Sequence, residues 1–223
     1  MNSIENNTDG HDDPCFQFSY TTQFELRISP HFIRATSQDK ENVTLVTQLS
    51  FDRIYMIEKI IKQWDGPISF AIYLSDTEVQ SLEAKLKEIE ELNIRNNIEI
   101  HLVYSDDSIL YPMNRLRNIA LRYVSTDYVY NLDVDLVPVA DAYSTLENLF
   151  SIKKFNLTKR ALVIPAFGEI EKLNETYSFP KNKKELLELW DSKILEPYGI
   201  SGFRNSHSAT NIHRWRNASA VYK

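Results

Sequence analysis

Apolar positions along this chain alternate between two rhythms, and the alternation carries most of the fold. Val43 to Gln48 (VTLVTQ) is a β-branched run, the pattern of a strand covered on both faces. After it Ile54, Ile57, Ile61 and Trp64 recur at helical spacing, with Ser50 placed to cap the helix and Asp65-Gly66-Pro67 to end it. Ile68 to Leu74 predicts a second strand. Ser75-Asp76-Thr77-Glu78 has the form of a capping box, opening a helix with Val79, Leu82, Leu86 and Ile89 on one face. Ile98 to Tyr104 predicts a third strand. Pro112 suits the first turn of a helix running to about Tyr123. Leu116, Ile119 and Ala120 face inward on it, Arg115 and Arg122 outward, and Arg117 lies nearer the boundary. Tyr128 to Leu132 and Ala161 to Ile164 predict a fourth and a fifth strand. Strands alternating with helices imply an α/β fold with a mostly parallel central sheet between helical layers.

The pattern changes upstream of Asn42. Residues 1–15 have no hydrophobic period and are expected to be disordered. Phe16 to Ile33 is richer in aromatic and β-branched residues and suits a strand or hairpin, and Ser37 to Glu41 reads as a polar linker. The expected organisation is a polar, partly disordered arm over residues 1–41 and one domain over 42–223. A net charge of -6 argues against a nucleic-acid binder, which needs basic surface to displace counterions. No apolar run approaches the roughly 20 residues of a membrane span, and Met1 to Asp13 lacks the pattern of a signal peptide. Cys15 is the only cysteine, so neither an intrachain disulfide nor a cysteine-based zinc site can form. Sequons stand at Asn6, Asn42, Asn156, Asn174 and Asn217, and they matter only in a secretory compartment.

Candidate chemistry concentrates after the fourth strand. Open α/β sheets bind ligands at the carboxyl ends of their strands, and Asp133-Val134-Asp135 falls there. Residues i and i+2 of an extended segment point to one side, so the two carboxylates can share a cation, with Mn²⁺ or Mg²⁺ suited to such hard oxygens. A solvated turn is the plainer reading of the same residues. Arg115 and Arg117 are candidates to neutralise phosphates or a sugar carboxylate, although by residue chemistry alone an exposed helix face is the favoured reading. His207 and His213 are candidate ligands or bases in a polar stretch. With five glycines and no G-x-G-x-x-G or G-x-S-x-G array, glycine-loop phosphate binding and serine nucleophiles are not indicated.

Seven segments in order then resemble glycosyltransferase family 49, the LARGE-like glucuronyltransferases. They are VTLVTQLSFDR at 43–53, WDGPISFAIYLSD at 64–76, YPMNRLRNIA at 111–120, LDVDLVP at 132–138, ALVIPAF at 161–167, FPKNKKELL at 179–187 and ATNIHRW at 209–215. The resemblance implies a GT-A type nucleotide-sugar-binding fold, a UDP-sugar donor, a glycan acceptor, Mn²⁺ (or Mg²⁺) and a Golgi setting. It assigns Asp133 and Asp135 to the metal. Thr47, Gln48, Arg53, Arg117, Asn118 and Asp133 are assigned to the nucleotide, with Arg117 preferred to Arg115. Ser208-Ala209-Thr210-Asn211 departs from the family's Ala-Pro-Thr-Asn, and Gly168 interrupts the stretch after Pro-Ala-Phe. Members of the family continue past the point matching Lys223 into an acceptor-facing segment with a late metal-binding histidine, so the domain is expected to be incomplete at its carboxyl end. The implied reaction is an inverting transfer of glucuronate from UDP to a glycan hydroxyl, with no residue here assigned as the base. The alternative is a non-catalytic form that binds a nucleotide-sugar or a partner without transfer.

Overall fold

A computed structural model describes residues 25–37, 43–105, 110–151, 161–170, 178–198 and 210–219. The expectations for residues 1–15, Cys15, His207 and the sequons at Asn6, Asn42, Asn156 and Asn174 lie outside the described residues. The chain forms two compact units, one of Met1–Ile61 with Gly66–Asp135 and the other of Lys62–Asp65 with Leu136–Lys223.

The first unit is built on a five-stranded sheet. Its strands are β1 (Ile28–Ile33), β2 (Val43–Ser50), β3 (Ile68–Leu74), β4 (Ile98–Tyr104) and β5 (Tyr128–Asn131), ordered β1-β4-β3-β2-β5. Helix α1 (Tyr55–Gln63) joins β2 to β3. Helices α2 (Val79–Glu88) and α3 (Glu90–Ile94) join β3 to β4, and α4 (Met113–Arg122) joins β4 to β5. β2, β3, β4 and β5 run parallel, as the strand-helix alternation requires, whereas β1 adds antiparallel to the outer edge of β4. This gives the Phe16–Ile33 region its role: its last residues close one edge of the sheet. Glu78 completes its half of the expected capping box, accepting the Ser75 amide at 2.7 Å. Ser50 occupies the cap position before a short 3-10 turn, but its hydroxyl donates to Asp52 instead of closing the cap.

The two faces of this sheet differ in chemistry. Strand alternation sends Leu45, Leu49, Phe70, Ile72, Ile100 and Leu102 to one face, all fully buried and apolar. On the other face Val46, Ala71 and Val103 pack against Leu116, Ile119 and Ala120 of α4. Alanines at 71 and 120 let the helix approach closely. Around that apolar centre the α4 face carries buried polar residues, namely Thr44, Gln48, Ser69, Glu99 and His101. Burial requires that they be hydrogen-bonded. Thr44 Oγ1 meets Thr126 Oγ1 at 2.7 Å, and Ser69 donates to the Ala120 carbonyl at 2.8 Å. Burial, with His31 adding, pushes the His101 imidazole down to about 4.

The second unit holds α5 (Ala142–Ser151), β6 (Phe167–Glu169), α6 (Lys183–Asp191), β7 (Leu195–Pro197) and α7 (Ile212–Asn217). The strand expected at Ala161 to Ile164 is not formed. That run pairs with no strand among the described residues, and Val163 is 75% exposed. An apolar run becomes a strand only with a ladder partner; just downstream β6 has one, pairing antiparallel with β7. Asn182 caps α6 by accepting the Glu185 amide at 3.0 Å, while Glu185 accepts the Lys181 amide at 2.8 Å. Lys183 ties α6 to α7, donating to the carbonyls of Trp215 at 2.6 Å and Ala218 at 2.7 Å.

One cation braces the amino-terminal ends of the central strands. Arg95 donates to the Ile61 carbonyl at 3.0 Å, the Gly66 carbonyl at 2.7 Å and Asn97 Oδ1 at 3.1 Å. It thereby joins the last turn of α1 to the entrances of β3 and β4. Arg95→Ala is expected to lower the unfolding free energy by about 1.5–3 kcal/mol in chemical denaturation, because charged hydrogen bonds are lost to several buried acceptors. Arg95→Lys should recover only part of this, since an ammonium cannot reproduce the planar fork.

Candidate functional site

The order of the strands creates a crevice. From β2 the chain moves outward through β3 and β4, then returns to the opposite side of β2 with β5. Such a reversal is the topological switch point where open α/β sheets take ligands, at the carboxyl ends of the diverging strands. Val46 of β2 is in register with Asn131 of β5, and the Leu132 amide donates to the Val46 carbonyl at 3.0 Å. The chain is therefore held against β2 one residue beyond the strand proper. Leu132 and Val134 are buried while Asp133 and Asp135 are exposed, so the alternation continues and both carboxylates emerge on the solvent side.

Each carboxylate is met by an arginine from a different element. Arg53, in the turn after β2, pairs through Nη1 with Asp135 Oδ1, and Arg117 on α4 pairs through Nη2 with Asp133 Oδ1. The Asp135 charge raises the pKa of Arg53 further above its ordinary value. Arg117 is the more enclosed guanidinium, and its buried Nε has no partner among the described residues. Asn118 follows it as an exposed residue of α4, and Arg115 is half-buried.

Thr47 and Gln48 do not converge. As neighbours in a strand they point to opposite faces, and both are buried. Gln48 Oε1 accepts the phenol of Tyr111, whose ring lies edge-on to Tyr73 with centroids 5.5 Å apart. Burial raises the Tyr111 phenol well above its ordinary pKa, with Asp52 adding to the effect. Thr47 Oγ1 is buried without a hydrogen-bond partner among the described residues. Tyr73 and Tyr111 were not singled out from sequence, although Tyr111 opens one of the segments that carry the family resemblance. His213 is exposed on α7, where Asn211 caps the helix by accepting the Arg214 amide at 2.9 Å. Asn217, the one sequon asparagine among the described residues, is exposed at the end of that helix.

Carboxylate oxygens are the only ligands that Asp133 and Asp135 offer, and that donor set fits Mg²⁺ or Mn²⁺. The four charges of the two pairs also balance. An exposed, balanced set of this kind adds little to folding but can exchange partners at small cost.

The profile of a family described as "glycosyl-transferase for dystroglycan" matches residues 42–108 and 105–223. The chain is 39% identical over 215 residues to "xylosyl- and glucuronyltransferase LARGE2s" of Danio rerio, covering 95% of this chain and 28% of that relative. It is 37% identical over 217 residues to "xylosyl- and glucuronyltransferase LARGE1" of Homo sapiens, again over 95% of this chain and 28% of the relative. With "xylosyl- and glucuronyltransferase LARGE2" of Mus musculus it shares 38% over 216 residues, 95% of this chain and 30% of that protein. The chain thus spans less than a third of the length of these curated relatives. Matched along nearly all of its own length, and α/β with a mostly parallel sheet as a GT-A fold requires, the chain belongs to glycosyltransferase family 49.

Proposed function

We propose that this chain carries the donor-binding part of a metal-dependent glycosyltransferase. On this reading the enzyme moves a sugar, glucuronate in the first instance, from a UDP-sugar to a glycan hydroxyl. The relatives' names, which specify xylosyl and glucuronyl transfer, support the donor class. A Golgi lumen setting goes with the same reading. Among the described residues no helix is long and apolar enough to cross a membrane.

The observation that carries the proposal is the placement of Asp133 and Asp135, both solvent-facing, at the switch point beside β2. Asp135 would hold the metal, and Asp133 would assist it or bind the ribose. A bound Mn²⁺ or Mg²⁺ supplies charge neutralisation to the departing diphosphate. Arg53 and Arg117, which neutralise the carboxylates here, have the fork geometry that suits phosphate oxygens. Binding a cation with a nucleotide diphosphate therefore exchanges one set of charge partners for another. Gln48, with its carbonyl oxygen fixed by Tyr111, and Asn118 provide polar groups for the nucleoside end. Thr47 contributes to the same segment from the opposite face.

Mn²⁺ is expected to raise the affinity for UDP in calorimetry, and Asp135→Ala to abolish that gain. Equal affinity with Mn²⁺ and with a chelator removes the metal-site reading. The carboxylates should matter to binding and not to folding: Asp135→Asn is expected to change the unfolding free energy by about 1 kcal/mol or less, as for other exposed ion pairs. A larger loss would make the Arg53–Asp135 pair structural. Between the two arginines of α4, Arg117→Ala should weaken UDP-sugar binding at least several-fold more than Arg115→Ala, with similar melting temperatures. Equal weakening by both would overturn the assignment of Arg117.

A further inference from the structure

The crevice beside β2 has a neutral, aromatic end as well as a charged one. β5 pairs with β2 only as far as Val46, whereas β3 runs alongside to Ser50, which lies in register with Tyr73. Beyond Val46 the α4 face of the sheet therefore presents Gln48 on β2 and Tyr73 near the end of β3. Tyr111, two residues before α4, meets both. Its phenol donates to Gln48 Oε1, and its ring stands edge-on to that of Tyr73. Gln48 is 5% exposed and Tyr111 39%, so the tyrosine borders solvent and the amide lies behind it. Asp52, Arg53 and Arg117 are within electrostatic reach of the Tyr111 phenol, which sets this aromatic end beside the two ion pairs.

A glutamine amide offers an oxygen that accepts and a nitrogen that donates, and turning it over exchanges the two. Here Tyr111 makes the choice. Burial keeps its phenol protonated far beyond neutral pH, so the hydroxyl brings a hydrogen that needs an acceptor. Gln48 supplies Oε1, which leaves the amide nitrogen as the group it can offer to a ligand. Turning the amide would put N–H groups where the phenol now donates, and the phenol would need a new acceptor. The edge-on contact with Tyr73 steadies the Tyr111 ring in turn. Gln48 is thus a fixed, neutral donor among tyrosine rings. Phosphate oxygens are better served by the guanidinium groups outside, whereas the carbonyl edge of an uncharged planar ring matches this end of the crevice.

Resting on the nucleotide-sugar reading above, we infer that Gln48 and Tyr111 set the choice of base in the donor. Gln48 donates to a carbonyl of uracil, and Tyr111 holds the amide in that sense. Uracil carries a carbonyl at the ring position where cytosine carries an amino group. A fixed N–H donor meets the first as a hydrogen bond and the second as two donors in conflict. An amide free to turn would present its oxygen to the amino group and accept either base. The selectivity therefore comes from the lock, which leaves donors unpaired in the wrong complex. Tyr111 is on this account a positioning residue that acts through Gln48.

The test compares UDP with CDP by calorimetry on the whole chain in the presence of Mn²⁺. The parent chain is expected to bind UDP more tightly by about tenfold or more, the worth of one hydrogen bond made against one donor conflict. Tyr111→Phe keeps the ring against Tyr73 and removes only the hydroxyl. It should narrow the preference to about threefold or less, chiefly by raising the affinity for CDP. A gain for CDP is an effect that simple loss of structure does not produce. Gln48→Leu removes the donor and should narrow the ratio from the other side, by weakening UDP. A parent chain that binds UDP and CDP equally, or a ratio that Tyr111→Phe leaves unchanged, would overturn the inference and leave the metal and diphosphate reading standing. No UDP binding by the parent chain would overturn that underlying reading as well.

Discussion

The fold of the first unit hangs on β2. It is hydrogen-bonded along both edges, to β3 on one side and β5 on the other, and all of its residues but the last are buried. A strand in that position must satisfy two ladders and two packing layers at once, so its register is tightly fixed. Fixing β2 fixes what is attached to it. The bond from the Leu132 amide to the Val46 carbonyl, followed by burial of Leu132 and Val134, leaves Asp133 and Asp135 no choice but to face solvent beside the carboxyl end of β2. Arg53 is brought there by the turn that ends β2. Arg117 is brought by α4, whose Leu116, Ile119 and Ala120 are seated on Val46, Ala71 and Val103. The candidate site is in this sense a consequence of core packing.

Much of this was legible from residues alone, for a physical reason. Buried parallel strands need β-branched, apolar runs, and VTLVTQ, ISFAIYL and IEIHLVY have them, so β2, β3 and β4 were placed nearly to the residue. Their punctuation, Asp65-Gly66-Pro67 and the Ser75 to Glu78 box, is local chemistry that does not depend on distant contacts. ALVI at 161–164 has the same composition but pairs with no strand among the described residues, and periodicity cannot report a missing partner. The ion pairs were hidden for the same reason. Arg53 and Asp135 are 82 positions apart in sequence, and only the return of β5 to β2 makes them neighbours. The antiparallel placement of β1 was equally out of reach, because nothing in ISPHFI says which edge it will join.

The carboxylates at the two ends of the α4 face sit in opposite surroundings. At the carboxyl end the Asp133 and Asp135 side chains are 58% and 65% exposed, so water competes for every charge. Either carboxylate can leave its arginine at little cost, and the pairs are suited to exchange with a cation and a diphosphate. Toward the amino end the Glu99 side chain is only 10% exposed and that of its partner His31 27%. Separating that pair would strand a carboxylate in a poorly solvated site, a penalty several times larger than at the surface. The sheet thus separates an exchangeable electrostatic site from a fixed one by the apolar layer of Val46, Ala71 and Val103 against α4.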